Sequence, residues 1–144
     1  MDMANKLEIT IEIIVHATED LKTILDAFEK LFEIKEDEFS KKNLTGHFEN
    51  PITMLNAKIT KTKAENFIQK LVINIPKGQL DELIGDLENR IQNSTLHVRL
   101  GKQDLIQGIV SLQEKDVIKI KIFMPIYQKK NTLKNYVDLL SVSN

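Results

Sequence analysis

The chain has no cysteine and no tryptophan, and its 144 residues include only five glycines and three prolines. Without cysteine there is no disulfide framework, no thiol nucleophile and no thiolate metal ligand. Two tyrosines and six phenylalanines leave few rings for stacking. No apolar run approaches the ~18 residues of a membrane span, and the first residues lack the apolar stretch of a secretory signal. Asn43-Leu44-Thr45 and Asn93-Ser94-Thr95 are then chance matches to the glycosylation triplet, and a cytoplasmic protein with no membrane partner is expected. A strong charge of one sign is missing too. The net charge of −1 withholds the overall basic footprint of a strong nucleic-acid binder.

What is present is a core. Hydrophobic residues make up 42% of the chain, enough to fold, and no repeat, low-complexity tract or long linker divides it, so a single domain over 1–144 is predicted. The charge is polarised along the chain. Residues 1–40 hold four Lys against eleven Asp and Glu, whereas residues 115–134 hold six Lys against one Asp. The C-terminal third can therefore form a basic patch, or its lysines can simply solvate a strand and a helix.

Periodicity supplies the elements. Ile9, Ile11, Ile13 and Val15 alternate with Glu8, Thr10, Glu12 and Ile14, the pattern of a half-buried strand. Thr18 is placed to cap the helix that follows, in which Leu21, Ile24, Leu25, Phe28, Leu31 and Phe32 form one apolar stripe. A polar stretch over 35–51, with a short strand near Phe39, leads to a second main strand over about 52–60. Ala64, Phe67, Ile68, Leu71 and Val72 mark a helix that Pro76 and Gly78 end. Leu80, Leu83, Ile84, Leu87 and Ile91 predict a further one. Strands follow around Leu96–Leu100 and Ile118–Met124, with a short helical turn from Lys102 to about Gln107 between them. A last helix is predicted over about 128–140, with Leu133, Tyr136, Val137 and Leu140 on its apolar side. The fold class expected is α+β: a mostly antiparallel sheet of four to five strands, covered by helices on one face and open on the other.

The search for chemistry is largely negative. His16, His47 and His97 have no partner at metal-site spacing, and neither a metal nor a cofactor is expected. There is no G-x-S-x-G elbow, no H-E-x-x-H and no phosphate loop, since Gly101-Lys102-Gln103 lacks the earlier glycine and the following Ser or Thr. No catalytic constellation is found, and a non-enzyme is expected. The outward strand positions are Glu8, Thr10, Glu12, Thr95, His97, Arg99, Lys119 and Lys121, a charged face without base-stacking platforms. RNA recognition there would rest on Arg99, Lys102, Lys119 and Lys121 contacting phosphates. The glutamates of the first strand would oppose it.

Three segments carry a resemblance: His16-Ala17-Thr18-Glu19-Asp20, Gly46-His47-Phe48-Glu49-Asn50-Pro51-Ile52, and Val98-Arg99-Leu100-Gly101-Lys102-Gln103 followed by Asp116-Val117-Ile118. In this order and spacing they resemble an archaeal family of small proteins labelled as predicted exosome subunits or RNA-binding proteins. The resemblance implies a fold similar to the RNA-binding domain of the 5S-rRNA-binding ribosomal protein, with RNA or an RNA-processing complex as partner. The family usually has Asp where this chain has Gly101, so either a polar role is lost or glycine eases the turn into the short helix. In the 46–52 segment, His47, Phe48 and Asn50 either face a partner or belong to a structural loop whose phenylalanine fills the core. The alternative function is a protein-interaction module on an RNA-binding-like fold that does not itself bind RNA, with a protein partner or a homodimer in place of RNA.

Overall fold

The computed structural model describes residues 6–45, 51–125 and 129–141. Strand β1 (Glu8–His16) is followed by helix α1 (Leu21–Phe32), strands β2 (Phe39–Thr45) and β3 (Pro51–Thr60), and helices α2 (Lys61–Asn74), α3 (Lys77–Gly85) and α4 (Leu87–Arg90). Then come strands β4 (Ile91–Gln92) and β5 (Thr95–Gly101), helix α5 (Lys102–Ile106), strand β6 (Val117–Phe123) and helix α6 (Thr132–Leu140). The α+β class holds. The sheet has six strands rather than four to five, in the order β2-β3-β1-β6-β5-β4, with every neighbouring pair antiparallel. The extra strand is the two-residue β4, too short to carry a periodic signal.

Alternation along each strand decides which face is covered. Ile9, Ile11, Ile13 and Val15 of β1 are buried, as are Leu55, Ala57 and Ile59 of β3, Leu96, Val98 and Leu100 of β5, and Ile118, Ile120 and Ile122 of β6. Phe28, Phe32, Phe67, Ile68 and Leu71 from α1 and α2 close over them in one continuous core. Burying each such side chain contributes about 1.5–3 kcal/mol, which ties the register of the whole sheet to its in/out pattern. Helix α6 is fixed differently. The buried Tyr136 hydroxyl lies 2.5 Å from the Ser94 carbonyl oxygen and 2.8 Å from that of Ile122, and burial pushes its pKa up to about 12.

Three expectations shift. Helix α1 is capped by Asp20, not Thr18: its carboxylate accepts from the Lys22 amide at 3.0 Å and the Thr23 hydroxyl at 2.8 Å. The Glu19 amide donates to the His16 carbonyl, so a turn occupies the residues where Thr18 would have capped. The stripe from Leu80 to Ile91 is not one helix. It breaks at Asp86, which binds Asn89 at 2.7 Å and Arg90 at 3.0 Å, and Ile91 begins β4. Leu133 is exposed, and Tyr136 and Leu140 carry the packing of α6; the start of that helix expected at Gln128 lies outside the described residues.

The edges differ in treatment. β5 is covered by β4 along its first residues, and along its last by Ser111–Gln113, whose backbone bonds to Gly101 and Arg99. Among the described residues β2 has β3 as its only strand neighbour, and exposed Lys41 and Lys42 mark that edge, a common device against strand addition. No described helix is long and apolar enough to cross a membrane.

Candidate functional site

The helix-free face of the sheet is assembled by register. Arg99 of β5 lies opposite Lys119 of β6, which lies opposite Glu12 of β1, which lies opposite Asn56 of β3. The next row runs His97, Lys121, Thr10, Lys58, and the one beyond it Thr95, Phe123, Glu8, Thr60. On the other side of the Arg99 row, Ile14, Met54 and Lys42 share a row, then His16, Ile52 and Leu44. Lys42, Lys58, Arg99, Lys119 and Lys121 face outward against two glutamates, Glu8 and Glu12, although acids outnumber bases over the whole chain by 21 to 20. The open face is thus the basic surface of a slightly acidic protein.

The charges on it are unequally occupied. Lys58 reaches Glu8 at 3.7 Å and Arg99 reaches Glu114 at 3.8 Å, both exposed pairs of little energetic weight. Lys119 and Lys121 make no ion pair with a described residue. A groove of about 440 Å³ opens between these strands and the end of α4. Arg90, Arg99, Lys119 and Lys121 line it, with His97 and the acids Glu12, Asp86 and Glu114. Partial burial, then the positive charges of Lys121 and Arg99, hold the His97 imidazole below its usual pKa. At neutral pH the ring is therefore uncharged, with one nitrogen donating and one accepting.

Phe123 also faces outward, 38% exposed, in the row beside Lys121. It contradicts the expectation of a face without rings. The signal was available: continuing the Val117, Lys119, Lys121 alternation by one step reaches it.

Lys102 does not join this face. It is 2% exposed, and its ammonium lies 2.8 Å from the Ile14 carbonyl oxygen, 2.8 Å from Glu19 and 3.0 Å from Asp116. An ammonium has three protons, and three acceptors surround this one. Glu19 also accepts from the His16 amide at 2.8 Å and from Gln103 at 2.9 Å, and Gln103 reaches Asp116 at 3.1 Å. Burial alone would raise both acids. The bonds from Lys102 and Gln103, with the His16 amide at Glu19, outweigh it and hold both below the usual carboxylate range. The cluster joins the end of β1, the start of α5 and the turn before β6, where Asp116 takes a positive φ of 54°. Two of the three segments behind the resemblance thus meet here, in a tie between chain segments.

Gly101 sits beside it with φ −67° and ψ 123°, ordinary extended backbone, so the turn itself does not demand glycine. Space does. A Cβ would come within 2.7 Å of Gln113 Cγ and 2.8 Å of Asp104 Oδ2. Asp104 accepts from the Ser111 hydroxyl at 2.5 Å and from Gln113 at 3.0 Å. A polar network seeded three residues downstream therefore fills the room that a side chain at 101 would need. The loop candidates His47, Phe48 and Asn50 lie outside the described residues. Among those described, no three His, Asp or Glu side chains are grouped to hold a metal ion.

A sheet covered by helices on one side, with an open face that carries more basic than acidic side chains on the other, defines the protein's α+β class. The chain belongs to the family described as RNA binding, whose model matches residues 8–124. It is 33% identical over 138 residues to an RNA-binding protein of Pyrococcus abyssi, a match covering 89% of this chain and 90% of that protein. The solved structure of a DUF54-family protein from Archaeglobus fulgidus is similar at a TM-score of 0.78 and 28% identity, covering 92% of this chain and 97% of the other. A DUF54 protein of Methanothermobacter thermautotrophicus follows at 0.74 and 25%, covering 93% and 97%. The relatives named are archaeal.

Proposed function

We propose that the protein is a non-enzymatic RNA-associated module that binds the RNA backbone with the β5–β6 half of its open face. The observation that carries this reading is the pair Lys119 and Lys121, exposed, without an ion-pair partner among the described residues and flanked by Arg99 on the wall of an open groove. Exposed cations not held in an ion pair release condensed counterions when they meet phosphate, so affinity should fall steeply with ionic strength. Family membership supports the same reading. Titration of structured and single-stranded RNA over a salt series tests it: tight binding at low salt is expected, and no binding there would reject the proposal. A link to the archaeal exosome or to RNA processing, and the likeness to the 5S-rRNA-binding ribosomal protein, are finer steps supported by the sequence resemblance. Cosedimentation with exosome subunits, with and without nuclease, tests the first; a comparison of 5S rRNA with unrelated RNAs tests the second.

A second reading has an observation of its own. Ile14 and Leu44 are 38% and 37% exposed, and with half-buried Met54 and Ile52 they form an apolar patch on the β1–β3–β2 half of the same face. Such a patch favours a protein partner or a homodimer. Sedimentation of the protein without RNA, and again with Ile14→Lys, separates this reading from the first.

A further inference from the structure

We infer that the RNA taken by this face is unpaired, and that Phe123 is its base-stacking residue. The inference deepens the RNA reading above and rests on it. Strand geometry carries it. Phe123 and Lys121 are two residues apart on β6, so their side chains leave the same face about 7 Å apart. One ring and one ammonium at that separation suit a nucleotide whose base lies on the ring and whose phosphate meets the charge. Lys119 continues the line of cations along the same strand, and Arg99 lies across from it. The surroundings favour it as well. Phe123 is flanked by Thr95 and Glu8, and the Glu8 carboxylate lies 3.7 Å from the Lys58 ammonium. His97, on the row of Lys121, presents a neutral ring with one donor and one acceptor, able to meet the edge of an exposed base. A continuous duplex turns its base faces inward and can use only the cations, whereas a single strand can use the ring too.

The test measures binding of a labelled single-stranded RNA and of its duplex to the wild-type protein and to Phe123→Ala, Phe123→Leu and Phe123→Trp, over a salt series. Stacking predicts that Phe123→Ala and Phe123→Leu weaken single-strand binding by about 5- to 100-fold and change duplex binding less than about 2-fold. Phe123→Trp should preserve or strengthen single-strand binding, and the salt slope should be the same in all four proteins. Phe123→Leu keeps an apolar side chain against the strand, so its loss of binding reports the ring and not the fold. If the wild type binds RNA but Phe123→Ala weakens neither form, or both equally, the stacking assignment is overturned and the backbone reading stands. If the wild type binds neither form at low salt, the RNA reading fails and this one with it.

Discussion

Lys102 and Lys119 carry the same ammonium group on neighbouring parts of the fold, with opposite fates. Lys102 is buried among three acceptors that use all its protons, while Lys119 stands exposed on an open strand, opposite Glu12 but in no ion pair with a described residue. A saturated cation holds a structure together and has nothing left to offer a ligand. An unsaturated one contributes little to stability and is available for binding. Read along the sequence the two are alike, and only the acceptors brought in from β1, the turn before α1 and the turn before β6 separate them.

The largest effect should come from Lys102→Met. It leaves the Glu19 and Asp116 carboxylates and the Ile14 carbonyl without their cation, and removing one partner of a buried pair costs about 3–5 kcal/mol. Thermal unfolding should fall by roughly 10 °C or more, while the salt slope of RNA binding in the folded protein stays unchanged. A stable Lys102→Met protein would show that the cluster is not a tie. Next comes the reverse case, Lys119→Ala with Lys121→Ala. Stability should move by less than about 0.5 kcal/mol, while RNA affinity drops about 10- to 100-fold and the salt slope shrinks by about 1.4–1.8. An unchanged slope would place the binding surface elsewhere.

Smaller is Gly101→Asp, the residue usual in the family. Its side chain would displace Gln113 and meet the carboxylate of Asp104, costing about 1–2 kcal/mol by overpacking. Pairing it with Asp104→Ala should recover much of that loss, and failure to recover would mean that the two sites do not share the space. The smallest effect is the acid limb of stability. Glu19 and Asp116 have folded pKa values below their unfolded ones, so their contribution is complete above the ordinary carboxylate range. It is lost as the pH falls through the folded values. Chemical denaturation across that window should show stability declining with acid, with a shallower decline in Glu19→Gln.

Most of the architecture was legible because burial is one-sided. The alternations in β1, β5 and β6 specify their faces, and the stripes of α1 and α2 specify theirs. What failed were features decided by partners distant in sequence. Thr18 was expected to cap α1, but the turn closed by the Glu19 amide on the His16 carbonyl leaves Asp20 in that place. Lys102 looked as free as Lys121 because none of its acceptors is near it in sequence. Gly101 looked like a turn residue because Asp104 and Gln113 reach its space from other positions. Phe123 is the exception, a miss with local information sufficient to prevent it.

The sheet order has a consequence for how the chain is made. β1 lies between β3 and β6, and its pairing with β6 joins residues more than a hundred positions apart, Glu8 to Phe123 and Glu12 to Lys119. About sixty residues separate the end of β3 from β6, so at ~5–20 residues per second on a ribosome the β1–β3 pair waits roughly 3–13 s with one edge bare. On β1 stand Glu8 and Glu12, the two acidic strand side chains of the open face. Two nascent copies pairing through that edge would bring like charges together, a cost that ends once β6 arrives and sets Lys119 opposite Glu12.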